Sequence, residues 1–134
     1  MFFYNGSLVS WRSKRQSKVA TSTAVAEFYA ANAAAKEGIY LVRLATEFDP
    51  EGRKPKLVLL GDNETANNMA ELAKWKDKSK HVRIAESFIH QMILRKEVDL
   101  FHVPSGSNLS DIMTKPLPRI AFIRLRDCIL GIRD

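Results

Sequence analysis

Apolar residues recur along this chain at two periods, and the changes of period mark its elements. From Ser22 to Phe48 (STAVAEFYAANAAAKEGIYLVRLATEF), Ala24, Phe28, Ala31, Ala35 and Val42 return at helical spacing. That spacing predicts one long helix, capped from the Thr21–Thr23 hydroxyls and lying with that stripe against a sheet or core. Before it, Phe2–Tyr4 and Ser7–Arg12 flank Asn5-Gly6, a pair suited to the two positive φ angles of a tight hairpin turn. The segment from Ser13 to Ala20 has no apolar period and reads as a loop, solvated or touching phosphate. After the long helix, the Pro50/Gly52 loop leads into Lys56–Leu60, a continuous apolar run of strand length expected to be buried on both faces. Asn63 and Glu64 open a second helix carrying Ala66, Met69, Ala70 and Ala73. Ile84, Phe88, Ile89, Met92 and Ile93 predict a third from about Arg83 to Lys96, with His90 on its surface. Leu100, Phe101 and Val103 form a short strand stopped by Pro104. Pro116 and Pro118 flank the start of a last helix whose apolar contacts are Ile120, Phe122, Ile123, Leu125, Cys128 and Ile129.

At 134 residues the chain fits one domain with a sizeable core. Its net charge of +6 favours an anionic partner, nucleic acid first. Much of that charge lies in KWKDKSKHVR, where Lys74, Lys76, Lys78, Lys80 and Arg83 are interleaved with Trp75 and His81. Such a segment is either a solvated connector or a surface that tracks a nucleic-acid backbone. Cys128 is the single cysteine, so no internal disulfide forms, a reducing compartment is expected, and Cys128 itself reads as core. The apolar opening Met1–Tyr4 is too short for a signal peptide, and no run approaches the roughly 20 apolar residues of a membrane span. A soluble protein without membrane partners is expected.

Three acidic residues stand where chemistry gathers. Glu27 lies at the edge of the apolar stripe of the long helix, either snorkelling to water or aimed at a cation. Asp62 follows Gly61 at the carboxyl end of a strand, a position open to two readings with Asn63: helix capping, or a ligand site of the kind α/β sheets assemble there. Asp111 follows Asn108 by three residues, as in a capping arrangement. Carboxylates on separate elements can also hold hard divalent cations for phosphodiester hydrolysis.

The segments VSWRSKRQSKVATSTAVAEFYAANAAAKE, LLGDNETANNMA, KSKHVRIAESFIHQMI and SNLSDIMTKPLPRIAFIRLRDCILGI together resemble the ribonuclease H domain that ends the polyprotein of copia-type retrotransposons. The resemblance runs through the chain in the family's order. It is most specific at Trp11–Gln16 with Ser22, Thr23, Ala26 and Glu27, at Lys80-His81, and at Asp111-Ile112 with Thr114-Lys115. It implies an α/β fold, a ribonuclease H-like mixed sheet of five strands with flanking helices. It also implies hydrolysis of the RNA strand of RNA–DNA hybrids with two Mg²⁺ or Mn²⁺ ions held by four carboxylates. Glu27 is similar to the second of these, Asp62 to the third and Asp111 to the last.

The family's first carboxylate is an Asp on a first strand upstream of the hairpin, whereas no residue of this chain before Glu27 is acidic. Residues 1–134 thus resemble a single such domain, incomplete at its N-terminus, and impaired activity is expected. Val25 stands where the family often has an acid, and Ser110 where it commonly has Ala. The expected partners are an RNA–DNA hybrid, contacted through Trp75, Lys76, Lys78, Lys80, His81 and Arg83, and the reverse transcriptase portion of a polyprotein. Without its first strand the sheet would expose an edge of Lys56–Leu60, open to self-association. The expected location is cytoplasmic, with nuclei and virus-like particles as alternatives. The competing functional readings are a non-catalytic nucleic-acid-binding remnant and a degenerate transposon fragment.

Overall fold

The computed structural model describes residues 1–17, 19–72 and 88–132. They form an α/β protein whose chain divides into two compact units: a central one, Ala20–Val103, and a terminal one, Met1–Val19 with Pro104–Asp134.

The central unit is built on helix α1, Thr23–Phe48. Ser22 caps it, its Oγ accepting the Val25 N–H at 3.2 Å. The buried stripe is Val25, Phe28, Asn32, Ala35, Gly38 and Ile39. Phe28 and Ala35 are where the pattern put them, but Ala24, Ala31 and Val42 are only half-buried. The stripe turns toward Val25 and Ile39 because a buried Val or Ile side chain is worth about 1.5–3 kcal/mol, more than an alanine methyl can offer.

Strand β3 (Leu57–Gly61) pairs in parallel with β4 (Val98–His102), with Leu57 opposite Val98 and Leu59 opposite Leu100. Here β3 counts after the hairpin strands β1 (Phe2–Tyr4) and β2 (Ser7–Ser10) of the terminal unit. Helix α1 packs on β3, and helices α2 (Glu64–Leu72) and α3 (Phe88–Leu94) pack on β4. Leu57, Leu59, Val98 and Leu100 are buried. The outward residues are not: Val58 is 50% exposed, Leu60 62% and Phe101 55%. This corrects the expected two-sided burial of Lys56–Leu60. Alternate side chains of a strand point to opposite faces, and the helices cover one face only. Lys56, expected to begin the strand, instead reaches across to Asp99 at 2.6 Å. The exit of α3 has a helix-ending turn in which Lys96 takes φ 58°, Lys96 N–H donates to Ile93 O, and Glu97 N–H donates to Met92 O. That turn delivers the chain to Val98, so β4 begins before the predicted Leu100.

The terminal unit holds the expected hairpin, with Asn5 at φ 50° and Gly6 at φ 79°. A 3-10 turn at Ser105–Ser107, a second at Leu109–Met113 and helix α4 (Arg119–Leu130) complete it. Helix α4 packs on the second turn and on β2. With so little to pack on it buries a narrow seam: Leu125 is buried, Ile120 is 84% exposed, and Cys128 is exposed rather than in the core. The described residues thus carry two two-stranded sheets, where the resemblance implies one sheet of five. No helix among them is long and apolar enough to cross a membrane.

Candidate functional site

Asp62 is the best-anchored of the three carboxylate positions. Gly61, the last residue of β3, presents its carbonyl oxygen to two donors, the Val103 N–H and the Asn67 side-chain amide, both at 3.1 Å. On the other side of Asp62, Asn63 starts α2: its Oδ1 accepts the Ala66 N–H at 3.0 Å and its carbonyl accepts the Asn67 N–H at 3.0 Å. The capping role therefore falls to Asn63. Asp62 is half-buried between these two fixed points, at the carboxyl end of a parallel strand pair.

Glu27 lies in the second turn of α1 and is exposed, between buried Val25 and Phe28. Asp111 belongs to the terminal unit. Asn108 caps its turn, the Asn108 Oδ1 accepting the Ser110 N–H at 3.0 Å. The buried Asp111 carboxylate faces Lys115, whose Nζ stands 2.9 Å from Oδ1. Within each unit, among the described residues, no group of three or more His, Cys, Asp or Glu side chains is gathered as a metal site.

Trp75, Lys76, Lys78, Lys80, His81 and Arg83, the predicted nucleic-acid contacts, lie outside the described residues. His90, expected on the surface, is half-buried with Nδ1 3.0 Å from Ala70 O, tying α3 to α2. Elsewhere, Asp49 at the end of α1 has its carboxyl held below the usual carboxylate range, first by the Arg53 side-chain hydrogen bond and then by the Glu51 N–H.

Two buried polar residues escaped the sequence reading. Asn32 accepts the Ile89 N–H at 3.2 Å and so anchors the start of α3, and Asn67 holds Gly61. The available signal was an amide side chain in register with an apolar helical face: Asn32 four residues after Phe28, Asn67 next to Ala66.

No family model matches the chain, and no solved structure matches it. Three curated relatives are retrovirus-related Pol polyproteins. That of transposon TNT 1-94 from Nicotiana tabacum is 29% identical over 122 residues, 91% of this chain and 9% of the relative. Those of transposons RE1 and RE2 from Arabidopsis thaliana are 29% and 28% identical over 114 residues, 85% of this chain and 8% of each relative. By this homology the chain corresponds to a region of a retrotransposon Pol polyprotein, and it spans less than a tenth of the length of these relatives.

Proposed function

We propose that residues 1–134 form a ribonuclease H-type domain of a retrotransposon polyprotein, acting on the RNA strand of RNA–DNA hybrids. The observation that carries the reading is the placement of Asp62, half-buried at the carboxyl end of a parallel strand pair and braced on both sides, where α/β sheets assemble their sites. Similarity to Pol polyproteins along most of the chain supplies the setting.

Glu27, Asp62 and Asp111 offer oxygen donors of the type hard divalent cations take, so the donor chemistry fits Mg²⁺ or Mn²⁺. When bound, such a pair of ions supplies an activated water and neutralises charge at the phosphodiester. The chain's own contribution is to hold carboxylates in place. Asp62 does so through its braced turn. Asp111 does so with Lys115 as counter-ion on Oδ1, leaving Oδ2 as the second acceptor. The basic stretch Lys74–Arg83 is assigned to the hybrid backbone, where recognition would rest on groove shape and the 2′-hydroxyl. The reverse transcriptase portion of the same polyprotein is the proposed protein partner, and the cytoplasm, nucleus or virus-like particle the proposed location.

The test is cleavage of an RNA–DNA hybrid in Mg²⁺ or Mn²⁺ by residues 1–134, alone and with the family's Asp-bearing first strand joined ahead of β1. Cleavage should be strongest with the strand present and should disappear in Asp62→Asn. Cleavage that survives Asp62→Asn, or none with the strand supplied, sinks the enzyme reading. The net charge of +6 then favours a non-catalytic nucleic-acid-binding domain.

A further inference from the structure

Among Gly6, Gly52, Gly61, Gly106 and Gly131, Gly61 alone has a neighbour in the space its missing side chain leaves. A Cβ on it would run into Asn67 Oδ1, closer than real Cβ atoms come to anything, whereas a Cβ on each of the other four would meet nothing within 4 Å. The Asn67 amide therefore occupies the space beside the end of β3 that any other residue at 61 would fill. From there its Nδ2 donates to Gly61 O at 3.1 Å. Asn67 is itself buried, 9% exposed, so this hydrogen bond is sheltered from water.

We infer that Asn67 is a positioning residue for Asp62, an inference that rests on the reading of Asp62 as a metal ligand. The mechanism is a brace on the backbone. The peptide plane between Gly61 and Asp62 is fixed by two donors on one oxygen, from Asn67 on α2 and Val103 beyond β4. The residue after Asp62, Asn63, is held in turn, its side-chain and main-chain oxygens accepting the Ala66 and Asn67 N–H groups. Asn67 takes part on both sides, through its side chain before Asp62 and through its main chain after it. Asp62 is thereby left with little backbone freedom, which narrows the rotamers open to its carboxylate. Partners that orient a ligand without touching the metal typically change metal affinity 10–100-fold when removed.

The test uses Asn67→Leu, which keeps the branched outline of the side chain, though bulkier, and removes its donor, beside Asn67→Ala, which introduces no new contact. In metal-free protein, three-bond couplings about χ1 of Asp62 should report one rotamer in the parent and averaged values in both variants. Titration with Mn²⁺, followed by line broadening of the Asp62 and Asn63 amides, should require about 10–100-fold more metal in the variants. Parent-like couplings in a folded variant overturn the inference, as does loss of folding in both variants, which would make Asn67 part of the fold alone. A parent with fixed Asp62 couplings but no broadening sinks the ligand reading instead and leaves the brace standing.

Discussion

Asp62 and Asp111 each lie beside an asparagine cap, Asn63 just after the one and Asn108 before the other, yet the two turns are held by different means. Around Asp111 the cap and the counter-ion are local, Asn108 capping from three residues before and Lys115 supplying a cation from four residues after, while Ser13 Oγ donates to the Met113 carbonyl two residues on. Around Asp62 the supports come from farther away, with Val103 reaching Gly61 across more than forty residues of chain and Asn67 reaching it from inside α2. A locally held turn survives changes in its surroundings but depends on its own few residues. A turn held from several elements is more rigid and more easily broken by one misplaced atom.

The largest effect separating the two should come from their glycines. Gly61→Ala drives a Cβ into Asn67 and should cost about 1–3 kcal/mol, as overpacking does. Gly106→Ala, beside the other turn, meets open space and should stay within about 0.5 kcal/mol. Thermal melts of the two variants make the comparison, which fails if they shift equally. Next come the caps. Asn63→Ala should cost about 1 kcal/mol, since a nine-residue helix loses its first bond, and Asn108→Ala should cost less, since only a 3-10 turn depends on it. A larger loss at Asn108 in chemical denaturation would reverse that ranking.

The smallest effect concerns what a cation four residues away does for a carboxylate. Asp49 and Arg53 share the spacing of Asp111 and Lys115. Because the Asp49 pKa is lowered in the folded chain, its stabilising contribution is present above the ordinary carboxylate range and fades as pH falls through the lowered value. Arg53→Ala should return Asp49 toward ordinary carboxylate behaviour, leaving the Glu51 N–H as its remaining support, and shift this loss to higher pH. A carboxyl titration by NMR would show an unmoved Asp49 if the cation contributes nothing.

What could be read from residues alone follows the same division between local and distant. The Ser22 cap, the Asn5-Gly6 hairpin and the strand-to-helix passage through Asp62 are written in neighbouring residues, and all three are in the structure. The α1 stripe shares Phe28 and Ala35 with the expected one but takes Val25 and Asn32 in place of Ala24 and Ala31, because alanines mark a face weakly. The two-sided burial expected of β3 failed because only the placement of three helices decides which face is covered. Residue type alone puts Cys128 in the core, but the narrow seam of α4 leaves it exposed. The contact between Gly61 and Asn67 depends on how a helix lies over a strand end, and no spacing rule encodes that.

Helix α1 is longer than the core it serves. Its last fully buried residue is Ile39, and from Tyr40 to Phe48 no residue is buried, a stretch of roughly 13 Å at 1.5 Å per residue. That segment is helical by propagation from the packed part, and Thr46 spends its hydroxyl on the Val42 carbonyl rather than on a neighbour. One continuous helix should accordingly have two clocks. Backbone amides between Phe28 and Ile39 exchange with solvent deuterium only when the central unit opens, while those of the last two turns exchange through fraying, orders of magnitude sooner.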